Sequence, residues 1–534
     1  MSSAPPRFES TALLPANAQG IAYGLYAATD FVVGEGAGAE GVTTRHARWY
    51  FRDETVALPK PGLPLPALTH GASAPADLQA WLARPHPAGM DSYPPLVWVA
   101  APQVIAQARI DHDGTRVLAA EGAWKLELAP RLPLNKSYFN ETSAAWFSTR
   151  PLRLRGATHD ETFNVRTLWP KDFRLPRDVR RVERGPLPTT PEALRSIVRA
   201  EPHGGAASPF SVSLLWSRGG ASYAVPTGRA VIALILNGAQ ADDDEAHGGH
   251  FGLITGRTMA DGSIADWLVN NFYSLDIESE KGIIAAPVPL DNYLGDLNSG
   301  QGYYRPSTML VAVLASDRAA MLLQAALNRT YVQFYRHQIA YDHAAMNCAG
   351  ISVDVVRALG LPAAQRRPSA RLGAGLALPF LVAHEWSVKK ACAIYDYLTE
   401  DQTRLLPAAA FEEIGALLAR IAYDPAAATG MLAQWLAQDM EALLFLRFPQ
   451  LPSSRALGDA PVVTASEYRA RLPKKRAEMQ IIPVPARAFP AELRDDDLLA
   501  APSRRSQRAV KWWAALSIIG LPWVIWDLLR KKPG

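Results

Sequence analysis

Two short segments constrain this chain more than any others: Gly-Gly-His-Phe-Gly-Leu-Ile-Thr at 248–255 and Tyr-Asp-His-Ala-Ala-Met-Asn-Cys-Ala-Gly-Ile at 341–351. The first puts His250 at the head of a predicted strand. The second puts Cys348 at the start of a predicted helix that carries Ile351, Val355, Val356 and Leu359 on one side and is stopped by Gly360 and Pro362. A thiol and an imidazole brought together on one scaffold make a nucleophile and its base. A helix N-terminus and a nearby imidazolium would both lower the thiol pKa. The competing reading of Cys348 is a small buried hydrophobe, since free cysteine is among the most buried residue types.

Around these segments the pattern alternates between strand and helix. Strands are expected at 229–237, 250–256, 264–273 and 309–314. Ser316 is a good N-cap, followed by Asp317 in the first turn of a strong helical pattern that runs to about Tyr335. A long Gly/Asn/Asp-rich loop at 289–307, with Tyr293, Gln301, Tyr303 and Tyr304, either gates a cleft or simply covers the sheet. Residues 210–365 therefore read as an α+β unit. Residues 1–185 read as a β-rich domain, with candidate strands at 21–33, 43–51, 95–100, 122–128 and 162–168 punctuated by Pro and Gly clusters. An Arg/Pro-rich stretch at 174–190 links the two. Residues 375–450 read as a helical region with amphipathic segments at 409–421 and 430–447, and 451–508 as an irregular tether.

The aromatic Tyr341, the short polar step to Asn347-Cys348, and the upstream Gly249-His250 at a strand head resemble the circularly permuted papain-like group. That group includes NlpC-type peptidases and lecithin–retinol acyltransferase-like proteins. The chain order, with the His strand before the Cys helix, is that of its permuted members. The resemblance covers roughly 228–362. It implies a permuted papain-like domain at 210–365 in which Cys348 is the nucleophile and His250 the general base. Asn347, Tyr341 and the backbone N–H of Cys348 would support the nucleophile and its oxyanion hole. It also implies a third polar residue on the strand after His250. Asp266, Asn270 and Asn271 are the candidates there: Asp266 as the stronger electrostatic partner, and Asn270 on the same strand face as Asp266. The implied reaction is hydrolysis or acyl transfer at an amide or ester of a peptide or lipid, with no cofactor.

Other patterns weigh less. Gly36, Gly38 and Gly41 satisfy G-x-G-x-x-G, but a strand-like segment follows where a helix is needed, so a hairpin loop explains them. Ser387 and Lys390 form S-x-x-K without K-T-G, as an exposed helix turn does. His247 with Asp242, Asp243, Asp244 and Glu245 has ligand chemistry for a divalent metal but sits in a Gly loop, where a solvated turn is the simpler reading. His343 is either a local partner of Cys348 or a polar helix-start residue. Asn140 and Asn328 fall in N-x-T triplets that read as chance matches.

Composition sets outer bounds. With 49% hydrophobic and 20% charged residues and a net charge of +4, the chain is globular and lacks the basic face of a nucleic-acid binder. Two cysteines, Cys348 and Cys392, make neither a disulfide framework nor a zinc site, and fit a reducing compartment. The N-terminus does not read as a secretory signal. At the other end, no charge interrupts Trp512 to Trp526, and Trp and Arg/Lys flank the run. The 509–530 segment is thus expected to be a membrane-anchoring helix, short and kinked at Pro522. An in-plane interfacial helix and a buried soluble helix are the alternatives. The body is expected in the cytoplasm. A non-enzymatic reading stands beside the enzymatic one: a membrane-tethered binding or scaffold protein with an inert papain-like unit.

Overall fold

The computed structural model describes residues 22–35, 55–84, 92–128, 139, 141–181, 186–199, 209–237, 249–273, 285–297, 307–336, 338–339, 341–342, 346–366, 375, 377–382, 387–449 and 473–478. The predicted membrane helix, the 242–245 acidic run, His247, His343, Asn140 and the glycines Gly36, Gly38 and Gly41 lie outside the described residues. Among the described residues no helix is long and apolar enough to cross a membrane.

The fold is α+β. A small hairpin pairs β1 (Ala22–Tyr23) with β2 (Tyr26–Ala27). β3 (Phe31–Glu35), β4 (Thr55–Pro59) and β5 (Val97–Ala100) form an antiparallel three-stranded sheet, with α1 (Ala74–Leu82) between the last two. Next come β6 (Gln103–Ile110), β7 (Arg116–Ala119), β8 (Gly122–Leu128), α2 (Glu141–Ser148), β9 (Leu152–His159) and β10 (Thr162–Pro170). These five strands close into a barrel in the order β10-β8-β7-β6-β9, with β8 and β10 parallel. The β-rich reading of the N-terminal region agrees with this arrangement. β11 (Asp178–Arg180) and α3 (Pro191–Arg199) then lead into the central sheet.

That sheet is built from β12 (Ser211–Ser217), β14 (Ala230–Asn237), β15 (His250–Arg257), β16 (Leu268–Asn271), β17 (Ala286–Pro289), β18 (Ser307–Leu314) and β19 (Met440–Phe448), while β13 (Ser222–Ala224) pairs with β11. Its order is β12-β19-β18-β14-β15-β16-β17, and every neighbouring pair is antiparallel. The helices of this part are α4 (Leu290–Gly295), α5 (Arg318–Tyr335), α6 (Cys348–Ala358), α7 (Val388–Thr399), α8 (Gln402–Leu405), α9 (Pro407–Tyr423) and α10 (Met431–Asp439). All eight residues of β14 and all eight of β18 are buried, because both faces of the sheet are covered. A strand in that position needs a continuous apolar run and shows no alternation.

Hydrogen bonds identify what covers each face. Thr255 donates to Gln324 of α5 at 2.6 Å, and Asn270 donates to the same oxygen at 3.0 Å. Helix α5 therefore lies on the face that carries Leu253, Thr255 and Asn270. Gly415 of α9 packs against Leu310, which the register aligns with Leu234 and Leu253, so α9 shares that face. On the opposite face the Trp267 ring lies over Gly256, where a Cβ would sit 2.3 Å from the ring.

The N-terminal barrel is fastened to the sheet by buried ion pairs. Arg153 of β9 donates to Asp266 at 2.9 and 2.5 Å, and Arg155 donates to Asp291 of α4 at 2.8 Å. Arg153 Nε also lies 3.1 Å from Asp291, and Arg166 of β10 donates to Asp296 at 3.1 Å. Two arginines and two aspartates thus form a nearly dry quartet, with Asp291 fully enclosed. On the other side of the sheet, Arg329 of α5 grips Asp77 of α1 at 2.6 and 2.7 Å.

The stretch 430–447, predicted as an amphipathic helix, is instead a helix followed by a strand. Asp439 accepts from Ser316 and Arg318 at the end of α10, and the chain then turns into β19, between β12 and β18. The sequence of β19, MEALLFLRF, is rich in helix formers, but two strand neighbours override that propensity. The C-terminal helical region therefore shares one core with the 210–365 unit. Asn328, in one of the N-x-T triplets, is buried and donates to Ser92 O at 2.6 Å.

Candidate active site

Helix α6 begins at Cys348, as the sequence predicts. Asn347 is its N-cap: the side-chain oxygen accepts from the Gly350 N–H at 3.0 Å, and Nδ2 donates to Leu405 O of α8 at 2.8 Å. Both ends of the Asn347 amide are thus engaged, which holds the helix start and leaves Asn347 a supporting part. The first turn of α6 rests on the start of β15. The amide N–H of Phe251, the residue after His250, hydrogen-bonds to the Cys348 sulfur. The amides of Ala349 and of Cys348 itself also point at the sulfur, and so does the Tyr341 hydroxyl.

These donors favour the thiolate, but burial dominates. Cys348 is 3% exposed, and desolvation pushes its thiol up from the ordinary value despite four hydrogen bonds that pull it down. The sequence expectation of a lowered thiol pKa is therefore reversed. A helix N-terminus stabilises a thiolate only as far as the surroundings tolerate charge, and here they are closed. Burial also raises Tyr341 well above the usual phenol value, with the neighbouring Cys348 adding to the shift.

His250 is equally enclosed, at 2% exposure. Its ring lies 6.1 Å from that of Tyr293 and 6.5 Å from that of Tyr273, and Tyr273 is in turn 5.2 Å from Tyr341. The two aromatic neighbours thus connect the imidazole side of the site to the thiol side. Tyr293 reaches this position on α4, whose first two amides donate to Trp267 O and Ala265 O and pin the helix to the sheet.

The register decides among the three predicted orienting residues. Leu268 pairs with Thr255, five residues beyond His250, and Asp266 lies further still. At about 3.3 Å per residue this puts Asp266 roughly 20 Å away along the sheet, where it serves the Arg153–Asp291 quartet. Asn270 pairs with Leu253, an odd number of residues from His250, so it projects to the opposite face and bonds Gln324. The structure brings neither Asp266 nor Asn270 to His250. Asn271 projects to the His250 face, one diagonal step away.

A residue absent from the sequence reading stands closer. Asn237, the last residue of β14, is the direct register partner of His250 and shares its face. The Tyr293 hydroxyl donates to Asn237 Oδ1 at 2.5 Å, and Asn237 Nδ2 donates to Ser307 Oγ at 3.0 Å. Its signal in sequence was only a polar residue ending the apolar run RAVIALILN, which looks like an ordinary strand terminus. Ser387 directly precedes α7 and its carbonyl accepts from Ala391, as the helix-turn reading expects.

No known family matches this chain, and neither a curated protein nor a solved structure does.

Proposed function

We propose that this chain is a thiol-dependent acyl-transfer enzyme, a hydrolase or an acyltransferase, on a permuted papain-like unit, with Cys348 as nucleophile and His250 as base. One observation carries the reading: the Cys348 sulfur meets the Phe251 amide, one residue from His250, where a helix N-terminus abuts a strand start. His250 takes the thiol proton as sulfur attacks an amide or ester carbonyl. The carbonyl π electrons move to oxygen, facing the amides at the α6 N-terminus. Collapse breaks the C–N or C–O bond, and the imidazolium returns its proton to the leaving group. Water or an acceptor, deprotonated by His250, then resolves the thioester and releases the thiol. Because burial disfavours a free-standing thiolate, proton transfer and attack are coupled in this scheme. Amide- or ester-bearing peptides or lipids are the substrate class the family resemblance implies. The apolar 509–530 segment, on sequence alone, would hold the site near a bilayer in the cytoplasm.

A second reading has its own observation in favour. A thiol that is 3% exposed with a raised pKa also suits an inert core cysteine, and hence a scaffold protein. Alkylation of the full chain in detergent, read by mass spectrometry from pH 5 to 10, separates the two. Labelling of Cys348 at neutral pH that drops when His250→Ala is introduced, with Cys392→Ala as control, supports the enzyme. Labelling that is indifferent to His250 across the range assigns the protein to the scaffold reading.

A further inference from the structure

From the meeting of the barrel with the turn between β15 and β16, we infer that a recessed chamber there binds the phosphate group of a phosphate monoester. The chamber holds about 190 Å³, against about 30 Å³ for one water in the liquid. It lies between the turn after β10 and the turn before β16, at the end of β15 away from His250. At about 3.3 Å per residue that is more than about 20 Å along the sheet from the imidazole, so this is a different place from the Cys348 site. Four charged residues line it: Arg153, Lys171, Arg174 and Asp261. Arg153 is neutralised by Asp266 and Asp291 within the quartet. Lys171 and Arg174 make no ion pair among the described residues. Asp172, between them in sequence, is turned to Arg150 at 3.4 Å. Asp261 Oδ1 accepts from the Ser263 amide at 2.9 Å. Two cations thus face one carboxylate, and Arg177 adds another cation in the adjoining cavity.

Both cations stand on a fixed frame. The Lys171 amide donates to Pro151 O at 3.0 Å, the Arg174 amide to Asp172 O at 2.9 Å and the Leu175 amide to Gly262 O at 2.8 Å. Arg174 also pairs with Ser263 in an antiparallel bridge. Gly262 has φ +75°, and a Cβ there would meet Leu175 O at 2.1 Å, so the two turns touch backbone to backbone. Cations placed at i and i+3 of one such turn pay less of the ordering cost of binding. A carboxylate ligand balances one of them. A phosphate monoester carries about −1.5 to −2 charges at neutral pH on three acceptor oxygens, and balances both. The Ser263 hydroxyl accepts from the Ala265 amide at 3.4 Å and has its proton to donate. Arg174 and Asp261 also line a wider cavity of about 850 Å³, whose apolar wall includes Leu175, Pro176 and Phe210. Phe210 stacks on Phe173 of the inner chamber at 4.9 Å. The organic part of the ester lies along this wall.

The test is calorimetry on the full-length protein in a non-ionic detergent at pH 7 and fixed ionic strength. Phenyl phosphate is the probe for a soluble ester, dihexanoyl phosphatidic acid the probe for a lipid headgroup, and benzoate the singly charged comparison. Phenyl phosphate should bind more tightly than benzoate. At about a hundred times its dissociation constant it should raise the unfolding midpoint by about 3 °C. Tighter binding of phosphatidic acid than of phenyl phosphate assigns the site to a lipid phosphate, and the reverse to a soluble one. Lys171→Gln and Arg174→Gln should each weaken phenyl phosphate about tenfold, the size of one charge-assisted hydrogen bond. Asp261→Asn should tighten it by up to about fivefold. Arg116→Gln removes an exposed cation from β7, away from the chamber, and should leave the affinity unchanged. Lys171, Arg174 and Asp261 are exposed, so these variants should keep the wild-type midpoint without ligand. No binding of phenyl phosphate overturns the inference, as does wild-type affinity in both Lys171→Gln and Arg174→Gln. An equal loss in Arg116→Gln, or benzoate binding as tightly as phenyl phosphate, overturns it too.

Discussion

Asp291→Leu is the most demanding test of how the barrel is joined to the sheet. The quartet holds two positive and two negative groups: Arg153 and Arg155, Asp266 and Asp291. Their side-chain exposures are 11%, 2%, 13% and 0%. Removing Asp291 strands one excess guanidinium in a dry interface, and breaking a buried pair in this way costs about 3–5 kcal/mol. At about 2.1 cal/mol/K of unfolding entropy per residue, a cooperative body of roughly 400 residues loses about 1 °C per kcal/mol. The unfolding midpoint should therefore drop by about 4–6 °C in near-UV circular dichroism. Arg155→Leu combined with Asp291→Leu restores neutrality and keeps the two-pronged Arg153–Asp266 contact. The double variant should therefore lie within about 2 kcal/mol of the wild type, since apolar replacements of buried pairs are often near neutral. A single variant within 1 °C of wild type (about the 1 kcal/mol resolution of the scale above), or a double variant showing the sum of both singles, would refute the argument.

Three further outcomes follow from the geometry. The pH profile of Cys348 alkylation should still be rising at the alkaline end of a pH 6–10 series, and Tyr341→Phe should move it further up, because the hydroxyl favours the thiolate; a plateau reached near neutrality would contradict the closed site. Although burial pushes Asp77 up, hydrogen bonds from Arg329 and the Thr69 amide bring its carboxyl below the usual 3.8. A depressed folded value contributes stability above the unfolded pKa that is lost as pH falls through the folded one. Urea unfolding should thus give a flat stability above about pH 5 and a decline below 3.8, with a smaller decline in Asp77→Asn. Gly430→Ala should cost about 2 kcal/mol, since Gly430 has φ +91° and a Cβ there would meet the Gly360 carbonyl oxygen at 2.4 Å; an unchanged midpoint of chemical unfolding would count against that contact.

What could be read from the sequence was what is local. The start of α6 at Asn347-Cys348 and the start of β15 at His250 rest on signals within a few residues, and both hold; the span of α5 holds as well, but Asp317 takes the N-cap position in place of Ser316, whose hydroxyl donates to Asp439 instead. What escaped depends on long-range pairing. β19 is a run of Leu and Phe whose partner strands lie far away in the chain, so its own propensity pointed to helix. The orienting role could not be settled among Asp266, Asn270 and Asn271 because strand register comes from the whole ladder. Asn237 escaped because a polar residue at a strand end is unremarkable until its neighbour across the ladder is known. The thiol pKa was misjudged in sign because burial depends on everything packed around the site, while a helix N-terminus can be seen in the sequence alone.

The interior position of β19 also has a consequence for biosynthesis. β12, β18 and β14 leave the ribosome long before Met440–Phe448, yet β19 belongs between β12 and β18. Until residue 448 has emerged, the nascent chain carries two unsatisfied strand edges, one on each side of the missing strand. Both present unpaired backbone groups and are competent to pair with a foreign strand. A chain terminated between Leu359 and Met440 keeps both the Cys348 helix and the His250 strand but lacks the closing strand, so such premature termination products are the species that quality-control machinery would have to intercept.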